Sequence, residues 1–180
     1  IGNTGTLTVL GTAGARGVLE TASLSKGYDA ASGTFDGGIL RASGDSTDFI
    51  SSYAGDYVAI GAGGMFIDTN GFAVTASSGL SGSGLLTKQG AGTLVLAAAN
   101  TYAGGTAIDA GTLQLGDGNS SGSITGSVAD NGMLAFNRSD DVVFSGLITG
   151  SGAVGQIGSG VTILTAANTY SGGTTINAGT

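Results

Sequence analysis

Two pairs of acids stand close together in this sequence: Asp45 with Asp48 in "RASGDSTDF" and Asp140 with Asp141 in "NRSDDVVF". Each pair has an arginine nearby, Arg41 and Arg138. Two carboxylates roughly 5 to 10 Å apart are what glycoside hydrolysis uses, one as acid and one as base or nucleophile. Cleavage of a polysaccharide is therefore the reaction these pairs could serve. The same residue types also furnish ordinary solvated turns, where Asp and Ser accept hydrogen bonds from nearby backbone amides. The turn reading is adopted here, and no catalytic residue is assigned.

Other chemistries are bounded more tightly. The chain contains no Cys, His, Trp or Pro, which removes disulfides, thiolate or imidazole metal ligation, and Cys or His catalysis. "GDGNSSGS" (Gly116 to Ser123) is rich in oxygen donors, yet it has neither the closing Glu of an EF-hand loop nor a repeated Gly-Gly-x-Gly-x-Asp nonapeptide. No metal site and no cofactor are assigned. The glycine runs lack the Lys-Ser/Thr and following helix of a phosphate loop. The net charge is −7, with five cations scattered along the chain, so there is no stripe to neutralise phosphates and nucleic acid is not expected as a partner.

What must position any such residues is a chain of 37 glycines in which only 9% of residues are charged and 41% are hydrophobic. The apolar residues come in short β-type runs, "TLTVL", "TLVLA" and "VTIL", separated by Gly, Ser, Asn and Asp, and no stretch reads as a helix. One sentence is written twice: "AANTYAGGTAIDAGT" from Ala98 and "AANTYSGGTTINAGT" from Ala166, identical at twelve of fifteen positions. The same offset holds upstream, where "GSGLLTKQGAGTLVL" from Gly82 aligns with "GSGAVGQIGSGVTIL" from Gly150. The internal copies are taken as residues 80–112 and 148–180 within one domain, 1–180. Short strands at such intervals suit a solenoid: with about 22 residues per coil, the offset makes about three coils, and the chain about eight coils forming a rod on the order of 40 Å long.

The two copies also indicate which side chains face inward. In "GGTAIDAG" and "GGTTINAG" the changed positions, Ala107/Thr175 and Asp109/Asn177, alternate with the fixed ones, Thr106/Thr174 and Ile108/Ile176. Alternation of this kind predicts a strand with one buried face, placing Ile108 and Ile176 in the core and Asp109 and Asn177 in solvent. Leu96 and Leu164 are retained as core positions, whereas Leu94 becomes Thr162, whose hydroxyl would need a partner if it faced inward. The pairs Gly104-Gly105 and Gly172-Gly173 read as corners. Asn100 and Asn168 are expected either in the left-handed region or capping amides with their side chains. Tyr102 and Tyr170 are expected to cover corners, three coils apart and unable to stack on each other.

"GAGTLVLAAANTYAGGTAIDAGTLQL" and "GSGVTILTAANTYSGGTTINAGT" resemble the passenger-associated transport repeat of bacterial autotransporters. Its form is Gly-x-Gly-Thr-Leu-x-Leu, then Ala-Asn-Thr-Tyr-x-Gly-Gly-Thr, then a strand and Gly-Thr-Leu. The second copy departs at Val161 and Thr162. Upstream, "GTFDGGILRA" and "VAIGAGGMFIDTNGFAVTASSGLSGSGLLTKQG" resemble segments that precede this repeat. The resemblance implies an all-β, right-handed parallel β-helix serving as a stalk that aids secretion and folding of a passenger, displayed on or released from the bacterial surface. It also implies a partner, the protein's own C-terminal outer-membrane β-barrel, since both ends of the sequence read as cut from a longer array. Two further functions stay open: an adhesin or self-association module with a host or bacterial surface ligand, and a β-helical polysaccharide-degrading enzyme.

Overall fold

In the computed structural model, residues 6–25, 32–51 and 58–180 are described. The opening Ile1 to Gly5 lies outside them. Among the described residues every regular element is a strand. Each is short because Gly and small polar residues interrupt the apolar runs, and most show the buried–exposed alternation of a strand with one inward face, as in Thr93–Leu96 and Thr112–Leu115.

Successive strands turn through three faces. The first face stacks Val18–Thr21, Ile39–Ala42, Met65–Asp68, Leu86–Gln89, Thr106–Ile108, Val128–Asp130 and Ile148–Thr149 into a seven-stranded sheet. The second is eight-stranded and runs from Leu24–Ser25 through Ser46–Ser51, Ala73–Ala76, Thr93–Leu96, Thr112–Leu115, Met133–Phe136 and Ala153–Gln156 to Thr174–Ile176. The third holds Thr6–Thr12, Ser32–Asp36, Val58–Ile60 and Leu80–Gly82, lapses to a bridge between Ala99 and Ser123, and resumes with Val142–Phe144 and Thr162–Leu164. Among the described residues the ladders between turns are parallel, beside an isolated antiparallel bridge between Leu10 and Gly37, and the antiparallel ladder is a local hairpin, Gly11–Thr12 against Ala15–Arg16. The fold is a β-solenoid.

It has about seven turns rather than eight, because the period is not uniform. Hydrogen-bonded partners in adjacent turns lie 27 or 28 residues apart at Arg41–Asp68 and Asp45–Ala73, but 20 apart at Leu80–Asn100 and Ile148–Asn168. Eight stacked strands at about 4.8 Å make the second face roughly 34 Å long.

The short period changes what the repeat means. Three turns carry Thr93 through Thr112 and Met133 only as far as Ala153, which falls short of Val161, the counterpart of Thr93 in the second copy. The rest of the offset reaches the next face. The copies are therefore three turns and one face apart. In the first copy Leu86–Gln89 lies on the first face and Thr93–Leu96 on the second. Thr101 N and Ala103 N of that copy then donate to Leu80 O and Gly82 O on the third. In the second copy Ala153–Gln156 lies on the second face and Thr162–Leu164 on the third, and Thr169 N and Ser171 N donate to Ile148 O and Gly150 O on the first. One motif thus serves two placements on the three faces, and both copies close with a Gly-Gly corner.

Apolar residues fill the column between the faces, among them Phe35, Leu40, Phe49, Ile67, Leu94 and Leu134, all without exposed surface. Each contributes about 1.5–3 kcal/mol of hydrophobic stabilisation. Phe136 and Phe144 meet edge to face with ring centroids 5.7 Å apart. The last turn differs. Ile176 faces the same column beside Phe136, Val154 and Leu164, with 60% of its surface exposed.

Candidate functional site

The side chains singled out for chemistry are used to hold turns. Asp45 is exposed, and its Oδ1 accepts Ala73 N at 2.8 Å. Asp48 is exposed, and its own amide donates to Ser46 Oγ at 3.3 Å. Asp140 receives two hydrogen bonds from Arg138, Nε to Oδ1 at 2.9 Å and Nη2 to Oδ2 at 2.7 Å. Those bonds hold its carboxyl below the ordinary value. Asp141 is exposed.

Arg138 also explains the oxygen-rich loop. Its Nη1 donates to Gly122 O at 3.0 Å and its Nη2 to Ser120 O at 2.6 Å, while Gly118 N donates to Asn137 O. A guanidinium clamps the carbonyls of the Gly116–Ser123 segment. Among the described residues no group of three or more His, Cys, Asp or Glu side chains could hold a metal ion.

The repeated residues form a consistent machine for stacking. Asn100 is buried, its Oδ1 accepts Leu80 N of the preceding turn at 2.9 Å, and its Nδ2 donates to Ala98 O and to Ser123 O of the following turn, both at 2.9 Å. Asn168 repeats the first contact, accepting Ile148 N at 2.8 Å on a different face. Of the two roles considered for these asparagines, side-chain capping is the one seen; the described non-glycine residue with positive φ is Asn70. The Tyr102 hydroxyl meets Thr106 Oγ1 at 2.8 Å, and Tyr170 meets Thr174 Oγ1 at 2.6 Å. Tyr102 is wholly buried, and burial pushes its phenol well above the ordinary range.

The two glycines of each corner do different work. A Cβ on Gly104 would run into the backbone of Gly84, and one on Gly172 into that of Gly152, so the first glycine permits close approach of the previous turn. Gly105 and Gly173 have φ of 79° and 83°, so the second supplies the left-handed bend. Leu96 and Ile108 are fully buried, while Leu164 is half-buried in the core's margin. Thr162 has the partner its inward position requires: its Oγ1 donates to Gln156 Oε1 at 2.7 Å.

Sequence reading did not single out the buried polar residues on the inward side of the first two faces. Lys88 has no exposed surface. Its Nζ donates to Thr69 Oγ1 at 3.0 Å, Gln89 O at 2.9 Å, Gly90 O at 2.7 Å and Ala110 O at 3.0 Å. These acceptors belong to three successive turns, so the ammonium ties them as an internal cation. Desolvation lowers its pKa to about 8, against the opposing pull of the Asp68 carboxylate. Gln156 occupies the same place in the second copy, and its Nε2 donates to Gly158 O at 2.9 Å and Gly160 O at 3.0 Å. Asp130 is the inward acid of this set: Oδ1 accepts Gly132 N at 2.9 Å, Oδ2 has no partner, and burial raises its pKa. The available signal was the Lys88/Gln156 pair, polar in both copies with the parity of the apolar Leu86 and Val154.

The comparisons with known proteins agree with this geometry. The family described as passenger-associated-transport-repeat matches residues 86–115 and 156–180. The "Adhesin BmaC autotransporter" of Brucella suis biovar 1 (strain 1330) is 37% identical over 153 residues, which cover 84% of this chain and 4% of that protein. The chain thus spans a small fraction of the length of the curated relative it matches. No solved structure matches the chain.

Proposed function

The chain carries the passenger-associated transport repeat twice and so belongs with the autotransporter passengers; on that premise we propose that it is a structural stalk segment supporting ordered folding, secretion and surface display. Such a protein is displayed at the bacterial surface or secreted, tied to the outer membrane. The observation that carries the stalk reading is the use of the repeated polar side chains: the side chains of Asn100 and Asn168 bond one turn to another, and the Tyr102 and Tyr170 hydroxyls are bonded to Thr106 and Thr174 of their own corners. Residues 1–180 act as one segment, with the repeat copies 80–112 and 148–180, and the partner is the protein's own C-terminal outer-membrane barrel. As each turn closes on its neighbour it buries apolar side chains and pairs backbone groups, which makes back-sliding of an emerging chain unfavourable.

Ile108→Asp and Leu96→Asp test this reading, since each places an unpaired charge in the column. The expected loss is at least about 3 kcal/mol of stability together with reduced surface yield. Unchanged melting and unchanged secretion for both variants would sink the proposal.

A second reading, adhesion, is favoured by the name of the relative. A glycan array run beside a polysaccharide-degradation assay separates the readings. Saturable binding without turnover supports the adhesin, whereas cleavage abolished by Asp45→Ala with Asp48→Ala supports an enzyme.

A further inference from the structure

The residues just before the strands of the first face form a column along the solenoid. Leu86 N, Thr106 N and Val128 N donate to the carbonyls of Gly105, Ser127 and Leu147, so Leu85, Gly105, Ser127 and Leu147 stand one above another. Leu85 and Leu147 are 40% and 39% exposed, and the two turns between them carry only a hydrogen atom and a hydroxymethyl group. Three spacings of about 4.8 Å separate the leucines, leaving a slot roughly two turns wide. Its volume is about 590 Å³, within the range of roughly 300–1,000 Å³ typical of small-molecule sites.

The chemistry of the slot narrows its occupant. No charged side chain lines it, in a chain whose net charge is −7. Anionic ligands are therefore repelled by the protein at large and find no cation in the slot, and a second copy of this chain brings the same unfavourable charge. Two aliphatic walls face each other; the Ser127 hydroxyl stands between them and that of Thr149 lines the slot from the turn of Leu147, beside Ala129, both without a protein partner. A neutral ligand with small apolar groups and several hydroxyl or amide groups fits both features.

We propose that this slot binds an uncharged disaccharide of N-acetylated sugars from a surface glycan, with one acetamido methyl group against Leu85, the other against Leu147, and polar groups on Ser127 and Thr149. The proposal rests on the adhesive reading and deepens it. Few contacts and an open site set the affinity at a Kd on the order of 1 mM.

The test is titration of the 180-residue protein with N,N′-diacetylchitobiose, followed by amide chemical shifts. Saturable shifts centred on Gly105, Ser127 and Ala129 are expected. Ser127→Leu would continue the leucine row across the slot and weaken binding at least about tenfold without lowering the melting temperature; Ala129→Phe, at another exposed position of the lining, serves as a second block. A sialylated trisaccharide should bind more weakly. Absence of saturable shifts, equal binding in both folded variants, or equal binding of the anionic sugar overturns the proposal. A concentration-dependent dimer abolished by Ser127→Leu overturns it in favour of a second copy as occupant. Cell adhesion that persists in Ser127→Leu while sugar binding is lost leaves the adhesive reading standing and removes this slot from it.

Discussion

Lys88 offers a direct test of how the solenoid holds a charge in its core. The side chain has no exposed surface, and its pKa falls from 10.5 to about 8 because burial penalises the ammonium more than Asp68 supports it. A folded-state pKa below the unfolded one means that, between those two values, the unfolded chain binds more protons, so stability rises with pH across this interval. Below pH 8 both states carry the proton and the full penalty applies, about 3 kcal/mol at about 1.4 kcal/mol per pH unit. From pH 8 to 10 about 2 kcal/mol of it should be relieved, raising the melting temperature by roughly 4–8 °C. The composition makes the experiment clean: there is no His or Cys to titrate nearby in pH, and Lys26 is the one other lysine. Tyr102 acts in the opposite direction and above this window, since its raised pKa makes the folded state lose stability once unfolded tyrosines ionise near pH 10. Melting followed by circular dichroism from pH 7.5 to 10 in moderate salt reads the effect, with Lys88→Gln as the reference. Gln stands at the matching position 156 and satisfies corner carbonyls without a charge, so the variant should fold and its melting curve should be flat over that window. A wild-type melting temperature that does not rise, or an equal rise in Lys88→Gln, would refute the account of Lys88 as a buried, strained cation.

Two further predictions concern the repeat itself. Asn100→Ala orphans Leu80 N and removes two more hydrogen bonds in a buried place, for an expected loss of about 2–4 kcal/mol; Asn168→Ala, half-buried with the single contact to Ile148 N, should lose less, as urea denaturation of each variant will report. Gly104→Ala and Gly173→Ala should separate the two glycine roles: the first forces adjacent turns apart and should melt well below the second, whose Cβ meets nothing within 4 Å and whose expected cost is the ~1–2 kcal/mol of a left-handed backbone. Equal melting temperatures for the two would show that close approach at Gly84 is not what the first glycine is for.

How far the sequence discloses this molecule depends on the kind of fact. Strand period, the inward facing of Ile108 and the corner role of the glycine pairs follow from local sterics, and local sterics are written in adjacent letters. The number of turns is not, because it is set by the long early turns around Asp45–Ala73, where residues are added without a repeated motif to mark the period. The same is true of phase. Two copies at this offset look stacked if each coil takes a third of it, yet at 20 residues per turn in this half of the chain they are rotated by one face. The rotation has a physical consequence for the site. Outward side chains of the two copies point away from the solenoid in different directions, so Asp109 and Asn177, or Ala107 and Thr175, never share a surface. A binding face assembled from repeated outward residues would need copies separated by whole turns. The spacing from Ala98 to Ala166 instead keeps what each face needs internally, a capping Asn, a Tyr–Thr pair and a Gly-Gly corner. Binding is left to positions such as Leu85, Gly105, Ser127 and Leu147, which become neighbours only through the stacking of four turns and have no signature in any one of them.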